Sequence, residues 1–387
     1  MPDTEAFADI RAGVRALCAA FPDAYHRRID AERAYPEAFV DALTQAGWLA
    51  ALIPQDHGGS GLGLAEASVI LEEINRSGGN AGACHGQMYN MGTLLRHGSS
   101  EQKQRWLPPI ARGELRLQSM AVTEPTTGTD TTKIKTTAVR RGDRYVVNGQ
   151  KVWTSGANYA EFCFLFCRTD PDAPKHKGIS ILLVDMDTPG ITVRPLPEIV
   201  DPEHPDLNEV FFDDVIVPAE NLVGVENNGW RMANGSLAHE RSMVWLDSVM
   251  RLEYQVEHLV EETPALIAGL PPMEQGVALD QVMSVYTDVM AARCLGYRGF
   301  AKYVKGAAAP EQALMKAFAS ETHQRMGLVA SEIQGGHGID MLGGIGIEAD
   351  TSWLEVYFHS FASTISAGSS EIQRNIISEK VLGLPRS

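Results

Sequence analysis

Positive charge is scarce in this chain. Its 33 lysines and arginines stand against 49 aspartates and glutamates, a formal net charge of −16 over 387 residues. That deficit argues against nucleic acid or an anionic membrane as a partner, because both select basic patches. No uncharged apolar stretch approaches the roughly 20 residues that span a bilayer. The start, Met1-Pro2-Asp3-Thr4-Glu5, has no basic segment leading into an apolar run, so a cytoplasmic protein, neither secreted nor membrane-inserted, is expected. The five cysteines, Cys18, Cys84, Cys163, Cys167 and Cys294, include no CxxC pair and no secreted framework, so buried reduced thiols are expected. Cys163 and Cys167 lie on Phe162-Cys163-Phe164-Leu165-Phe166-Cys167, an apolar run that suits a strand buried on both faces better than a metal site. The glycine cluster His57-Gly58-Gly59-Ser60-Gly61 lacks the Lys-Ser/Thr ending of a phosphate loop and reads as a turn between helices.

What is present divides into three regions. The first, 1–115, is helical: Phe39, Ala42, Leu43 and Trp48 recur at helical spacing, and Leu64 to Ile74 form a second amphipathic run. The second, 116–225, carries short β-rich runs: Lys133–Arg140, Arg144–Asn148, Phe162–Cys167, Ile179–Val184, Ile191–Pro195 and Glu209–Val215. Arg141-Gly142-Asp143 reads as a hairpin turn. No long helical pattern separates these runs, so a sandwich or barrel is expected and a Rossmann dinucleotide site is not. The third, 226–387, returns to helical periodicity around Gly235–Val260, Val277–Lys305 and Glu311–Ile333.

Three constellations carry chemistry. Val122-Thr123-Glu124-Pro125-Thr126-Thr127-Gly128-Thr129-Asp130 and Gly149-Gln150-Lys151-Val152-Trp153-Thr154-Ser155-Gly156 read as two hydroxyl-rich turns. A flat cofactor with a polar rim needs short donors and acceptors on rigid elements and an aromatic to pack on, and Thr123, Thr129, Trp153 and Ser155 are of those types. Further on, Ser370 and Gln373 have capping-box spacing in Ser366-Ala367-Gly368-Ser369-Ser370-Glu371-Ile372-Gln373-Arg374, which predicts a helix start. Its free N–H groups could hold a phosphate or a polarised carbonyl; capping alone also explains the serines. Finally, Ala233, Leu237, Glu240 and Val244 share one helical face. A carboxylate on an apolar stripe needs a partner or a role as a base.

Together these segments resemble the acyl-CoA dehydrogenase family over nearly the whole chain. The motifs are Gln102-Lys103-Gln104-Arg105-Trp106-Leu107-Pro108, the two hydroxyl-rich segments, Phe211-Phe212-Asp213-Asp214-Val215 with Val217-Pro218, and the terminal AGSSEIQRNIISEKVLGLP. The resemblance implies an α+β architecture: an N-terminal helical domain, a middle β-sandwich or barrel domain and a C-terminal four-helix bundle. It implies an FAD flavoprotein that dehydrogenates an acyl-CoA thioester to the trans-2-enoyl-CoA in fatty acid metabolism. Electrons would pass to an electron-transfer flavoprotein, and the enzyme would be a homodimer or homotetramer. A flavin monooxygenase or oxidase on the same fold, and a non-catalytic partner subunit of a heteromer, are the competing readings.

Carried onto this chain, the Val122 backbone and the Thr123 and Ser155 hydroxyls would address the flavin rim, with Trp153 against the ring. Thr129 replaces the usual serine, keeping a hydroxyl for cofactor and substrate. Gly343, Gly344, Ser369 and Glu371 fall on the cofactor side, and Arg241, Ser366 and Gly368 on the substrate side. Many members place the catalytic glutamate just before the glycine of the last motif, where this chain has Ala367. In the isovaleryl-CoA and long-chain branches it precedes an arginine on a bundle helix, as Glu240-Arg241 does here. Glu240 is then the base, and the Ala367 N–H a donor to the thioester carbonyl. The family's Arg-x-x-Phe-Gly segment, which reaches a neighbouring subunit's flavin, is missing after Arg251. Of two glycine turns for the adenosine half, Gly335-Gly336-His337-Gly338 and Gly343-Gly344-Ile345-Gly346, the second has the family's apolar lead-in, Met341-Leu342.

Overall fold

The computed structural model describes residues 7–32, 34–79, 82–199, 206–232, 248–305, 309, 311–335 and 353–385. Two compact units divide the chain, Met1–His239 and Glu240–Ser387.

The first unit opens with helices α1 (Ala8–Cys18), α2 (Asp23–Ala31), α3 (Glu37–Gln45), α4 (Leu64–Arg76), α5 (Gly82–His97) and α6 (Ser100–Ala111). The glycine cluster is the turn expected of it: Gln55–His57 forms one 3-10 turn, and Gly58 then turns left-handed at φ 86. Ser99 starts α6, its hydroxyl accepting from the Gln102 N–H while the Gln102 side chain accepts from the Ser99 N–H. The same Gln102 amide donates to the carbonyls of Glu220 and Leu222 at 2.7 and 2.8 Å. One side chain therefore caps α6 and fixes it to the β region.

That region holds β1 (Leu117–Ala121), β2 (Thr137–Arg141), β3 (Arg144–Ser155), β4 (Phe162–Arg168), β5 (Ile179–Asp185), β6 (Ile191–Pro195), β7 (Leu207–Pro218) and β8 (Leu222–Val223). The order is β6-β7-β3-β2-β4-β5-β8, with β1 paired in parallel to β4. Strand β4 is buried on both faces because successive residues point oppositely. Phe164 and Phe166 join a core with Ile53, Met91, Leu94, Leu107 and Ile110 of the helical region. Cys163, Leu165 and Cys167 face a second core with Tyr145, Val147, Val184, Val210 and Val217. Strands β5 and β7, each next to one end of the order, share that second core, so the sheet folds over itself as a sandwich or barrel does. The hairpin forms as expected, with Arg141 opposite Arg144 and Gly142 at φ 67.

Two expectations need correction. The run Lys133–Arg140 is not one strand: Thr131–Lys133 is a 3-10 turn and β2 starts at Thr137. The N–H groups of Lys135 and Thr136 are taken by the Glu124 carboxylate, at 2.6 and 2.8 Å, so they cannot enter a ladder. Nor is Gly149–Gly156 a turn. Residues through Ser155 continue β3, whose register to β7 slips between Val147 and Gly149 and again between Lys151 and Thr154.

The second unit contains α7 (Met250–Leu266), α8 (Pro272–Val304), α9 (Glu311–Gln334), α10 (Trp353–Ile365) and α11 (Ser370–Ile376), with a π turn at Ile377–Val381. Pro272 begins α8 where its missing N–H costs nothing. Trp353, fully buried, donates its indole N–H to Glu262 of α7 at 3.0 Å. Ion pairs join Arg293 of α8 to Glu253 of α7 at 2.6 Å and Arg325 of α9 to Asp288 of α8 at 2.5 Å. No helix among the described residues is long and apolar enough to cross a membrane. Cys18, Cys163 and Cys167 are buried free thiols, but Cys294 is exposed on α8, against expectation. The Cys84 side chain lies outside the described residues.

Candidate active site

In the first unit the two hydroxyl-rich segments run side by side. The Val152 N–H donates to the Thr123 carbonyl at 2.9 Å. One residue earlier, the Lys151 ammonium donates to the Val122 carbonyl and to Glu124 Oε1, both at 2.9 Å. At the far end of β3, the Ser119 hydroxyl of β1 holds the Ser155 carbonyl at 3.1 Å. Val122, Thr123, Trp153 and Ser155 are thus carried on two adjoining backbones. Glu124-Pro125-Thr126-Thr127 closes on itself through reciprocal N–H to carbonyl bonds of 3.0 Å, and Thr129 follows on the surface. No bond ties the Thr129 side chain to the other residues of the pair of segments.

Trp153 sits in the second register slip of β3, with φ 59. A bulge puts two residues opposite one and re-aims a side chain; here the indole stands out 58% exposed, while Val152 and Thr154 on either side are buried. The left-handed backbone is costly for a bulky residue.

Lys151 and Glu124, to which the motifs give no role, join the two candidate segments. Both are buried, Lys151 completely. Burial pulls the Lys151 ammonium below its ordinary pKa, against the opposing attraction of Glu124. Burial alone would push the Glu124 carboxyl up; Lys151 and the N–H groups of Thr136 and Lys135 hold it below the usual carboxylate range. The available signal was a lysine and a glutamate set among residues of core pattern, since a charge there needs a partner.

The segment's polar groups differ in whether they are bonded. The carbonyls of Val122 and Thr123 are spent on Lys151 and Val152. Among the described residues, the N–H groups of Val122 and Thr123 form no backbone hydrogen bond. Donors remain open beside an exposed indole, which suits the rim and face of a flat heterocycle rich in acceptors.

In the second unit, Ala367 and Gly368 turn the chain between α10 and α11 with φ 52 and 93. The Gln373 amide donates to both of their carbonyls at 3.1 Å, and a side chain on Gly368 would place its Cβ 2.7 Å from that amide nitrogen. Since no peptide bond among the described residues is cis, the Ala367 carbonyl and the Gly368 N–H point opposite ways. The Gly368 N–H is therefore turned away from Gln373, and neither it nor the Ala367 N–H forms a hydrogen bond among the described residues. The expected capping box is absent: the N-cap is Ser369, not Ser370, and its hydroxyl makes no cap bond to the helix N–H groups. Gln373 binds the turn through its amide nitrogen, and its Oε1 is buried with no hydrogen-bond partner among the described residues. Ser370 is buried, Ser366 is exposed, and Glu371 lies in the first turn of α11, its carboxyl held low by its own N–H and then by Ser369. Glu240, Arg241, Gly343 and Gly344 lie outside the described residues.

Residues 4–114, 119–215 and 227–382 match, in that order, the N-terminal, middle and C-terminal domains of acyl-CoA dehydrogenase. Acyl-CoA dehydrogenase IpdE1 of Mycobacterium tuberculosis is 34% identical over 371 residues, which cover 94% of this chain and 91% of that protein. The mitochondrial short-chain specific acyl-CoA dehydrogenase of Mus musculus is 29% identical over 368 residues, with 93% and 86% covered. Among solved structures, the Tcur3481-Tcur3483 steroid ACAD superposes with a TM-score of 0.87 at 29% identity, covering 100% of this chain and 99% of that one.

Proposed function

The chain belongs to the acyl-CoA dehydrogenase family and is an oxidoreductase of that type; from this premise we propose that it removes hydrogens from Cα and Cβ of an acyl-CoA thioester, giving the trans-2-enoyl-CoA. FAD, when bound, supplies the acceptor for the hydride from Cβ. The observation that carries this reading is the donor edge at Val122 and Thr123 beside the exposed Trp153. Those residues, with Ser155 and Thr129, would hold the ring, and Ser369, Glu371, Gly343 and Gly344 the rest of the cofactor.

Glu240 takes the α-proton. The Ala367 N–H, which forms no hydrogen bond among the described residues, donates to the thioester carbonyl as negative charge builds there. Alanine at this position cannot act as a base, so donor and base come from separate places in the chain. Arg241, Ser366 and Gly368 border the acyl group, and an electron-transfer flavoprotein receives the electrons.

Anaerobic titration of the yellow protein with acyl thioesters, following loss of flavin absorbance, tests cofactor and reaction together. The panel covers short linear and steroid-bearing acyl groups, because the relatives' names divide between them. The Glu240→Gln protein should keep FAD while bleaching about 10²–10⁴-fold more slowly. Bleaching at the parent rate would remove Glu240 from the reaction.

A further inference from the structure

The geometry points to Lys151, paired with Glu124, as the positioning residue that makes the flavin-facing edge a donor edge. The inference rests on the reading that FAD lies against this segment, and goes beyond it by naming what sets the edge's polarity. Three successive residues, Val122, Thr123 and Glu124, are each tied to the segment that bears Trp153. Val122 is held through its carbonyl to Lys151 Nζ, Thr123 through its carbonyl to the Val152 N–H, and Glu124 through its carboxylate to Lys151 Nζ, all at 2.9 Å. Two of the three ties end on one ammonium.

A buried lysine is an expensive way to join two segments, because removing both charges from water offsets much of their attraction. An apolar pair of similar volume would hold the strands together equally well. What an apolar pair cannot do is occupy the Val122 carbonyl. An ammonium has three donors and no acceptor, so at this position it engages the Val122 carbonyl and, across the planar trans peptide, turns the Thr123 N–H the opposite way, where it forms no hydrogen bond among the described residues. The edge of an isoalloxazine ring carries several acceptors, and two-electron reduction adds negative charge there. Donors stabilise that charge, and a freed carbonyl oxygen would oppose it. Glu124 keeps the buried ammonium paired and holds Lys135 and Thr136 in place through their N–H groups.

The test uses the full-length protein and FAD itself. Lys151→Met keeps the length of the side chain and removes its donors. Because this leaves the Glu124 carboxylate buried without a cation, Lys151→Met/Glu124→Gln is made alongside as the neutral pair. FAD affinity of the apoprotein is read by fluorescence titration, and the two-electron potential of the holoprotein by dye-linked reduction. Both variants should bind oxidised FAD about tenfold more weakly. Their preference for reduced over oxidised flavin should fall at least tenfold, a drop of about 30 mV for a two-electron couple. A pair that only stabilises the fold would lower the melting temperature and leave affinity and potential unchanged in the folded protein; that result overturns the inference. Failure of both variants to yield folded protein would make the pair a folding element and overturn it as well. A parent apoprotein that binds no FAD overturns the underlying reading, and is distinguishable from either.

Discussion

Trp153 holds two opposed properties at one backbone position. Its φ of 59 costs a bulky residue on the order of 1–3 kcal/mol, while the same bulge leaves the indole 58% exposed. Replacing it with asparagine, which tolerates the left-handed region better, should raise the stability of the apoprotein by about 1 kcal/mol. It should also weaken FAD binding about tenfold through loss of a stacking face. Denaturant unfolding of the apoprotein and fluorescence titration with FAD measure the two effects separately. An apoprotein no more stable than the parent would show that the neighbouring ladder, not the indole, imposes the backbone angle. Lys151 is the contrasting case. Its neighbours in sequence mark a motif, yet nothing in the motif says that the lysine is buried, and a lysine is ordinarily read as solvated. Its role becomes visible only when Glu124 is brought to it from 27 positions away.

Elements were readable where one physical pattern governs them. The apolar run of β4 announced its two buried faces, and the two-residue hairpin at Gly142-Asp143 followed from its turn residues. Strand β3 runs beyond its alternating pattern because two register slips, near Gly149 and at Trp153, interrupt that alternation, and a bulge is a property of paired strands. The beginning of β2 was misplaced for a related reason, since a carboxylate from elsewhere takes the N–H groups of Lys135 and Thr136. Helix α9 carries its own test. A Cβ on Gly327 would lie 2.7 Å from the Tyr357 Cα and 2.9 Å from its N, atoms of the α10 backbone that cannot swing aside. Alanine gains about 1 kcal/mol of helix propensity over glycine, but overpacking costs typically 1–3 kcal/mol. Gly327→Ala should therefore destabilise by up to about 2 kcal/mol, whereas Gly276→Ala in α8, with nothing within 4 Å, should stabilise by up to about 1 kcal/mol. Urea unfolding of the two variants decides; equal shifts would mean that α9 and α10 can separate without cost.

For the whole molecule, three regions in the order helical, β, helical were legible from periodicity, whereas the site was legible only in pieces. The Val122–Asp130 and Gly149–Gly156 segments belong to one unit and the Ala367 turn to the other, so the residues proposed for the chemistry are scattered along the sequence. The double burial of β4 also governs what happens when the native packing is lost. Phe162-Cys163-Phe164-Leu165-Phe166-Cys167 has no charge and no proline, and it is rich in residues that favour strands. Inside the native chain it is covered from both sides; in an unfolded chain it becomes a template on which other copies can add strands. Heat denaturation should accordingly end in precipitation, with an apparent melting temperature that rises with scan rate. A lysine placed at Phe166 cannot relieve this without breaking the core, so the segment that organises both layers is also the one that makes unfolding a one-way event.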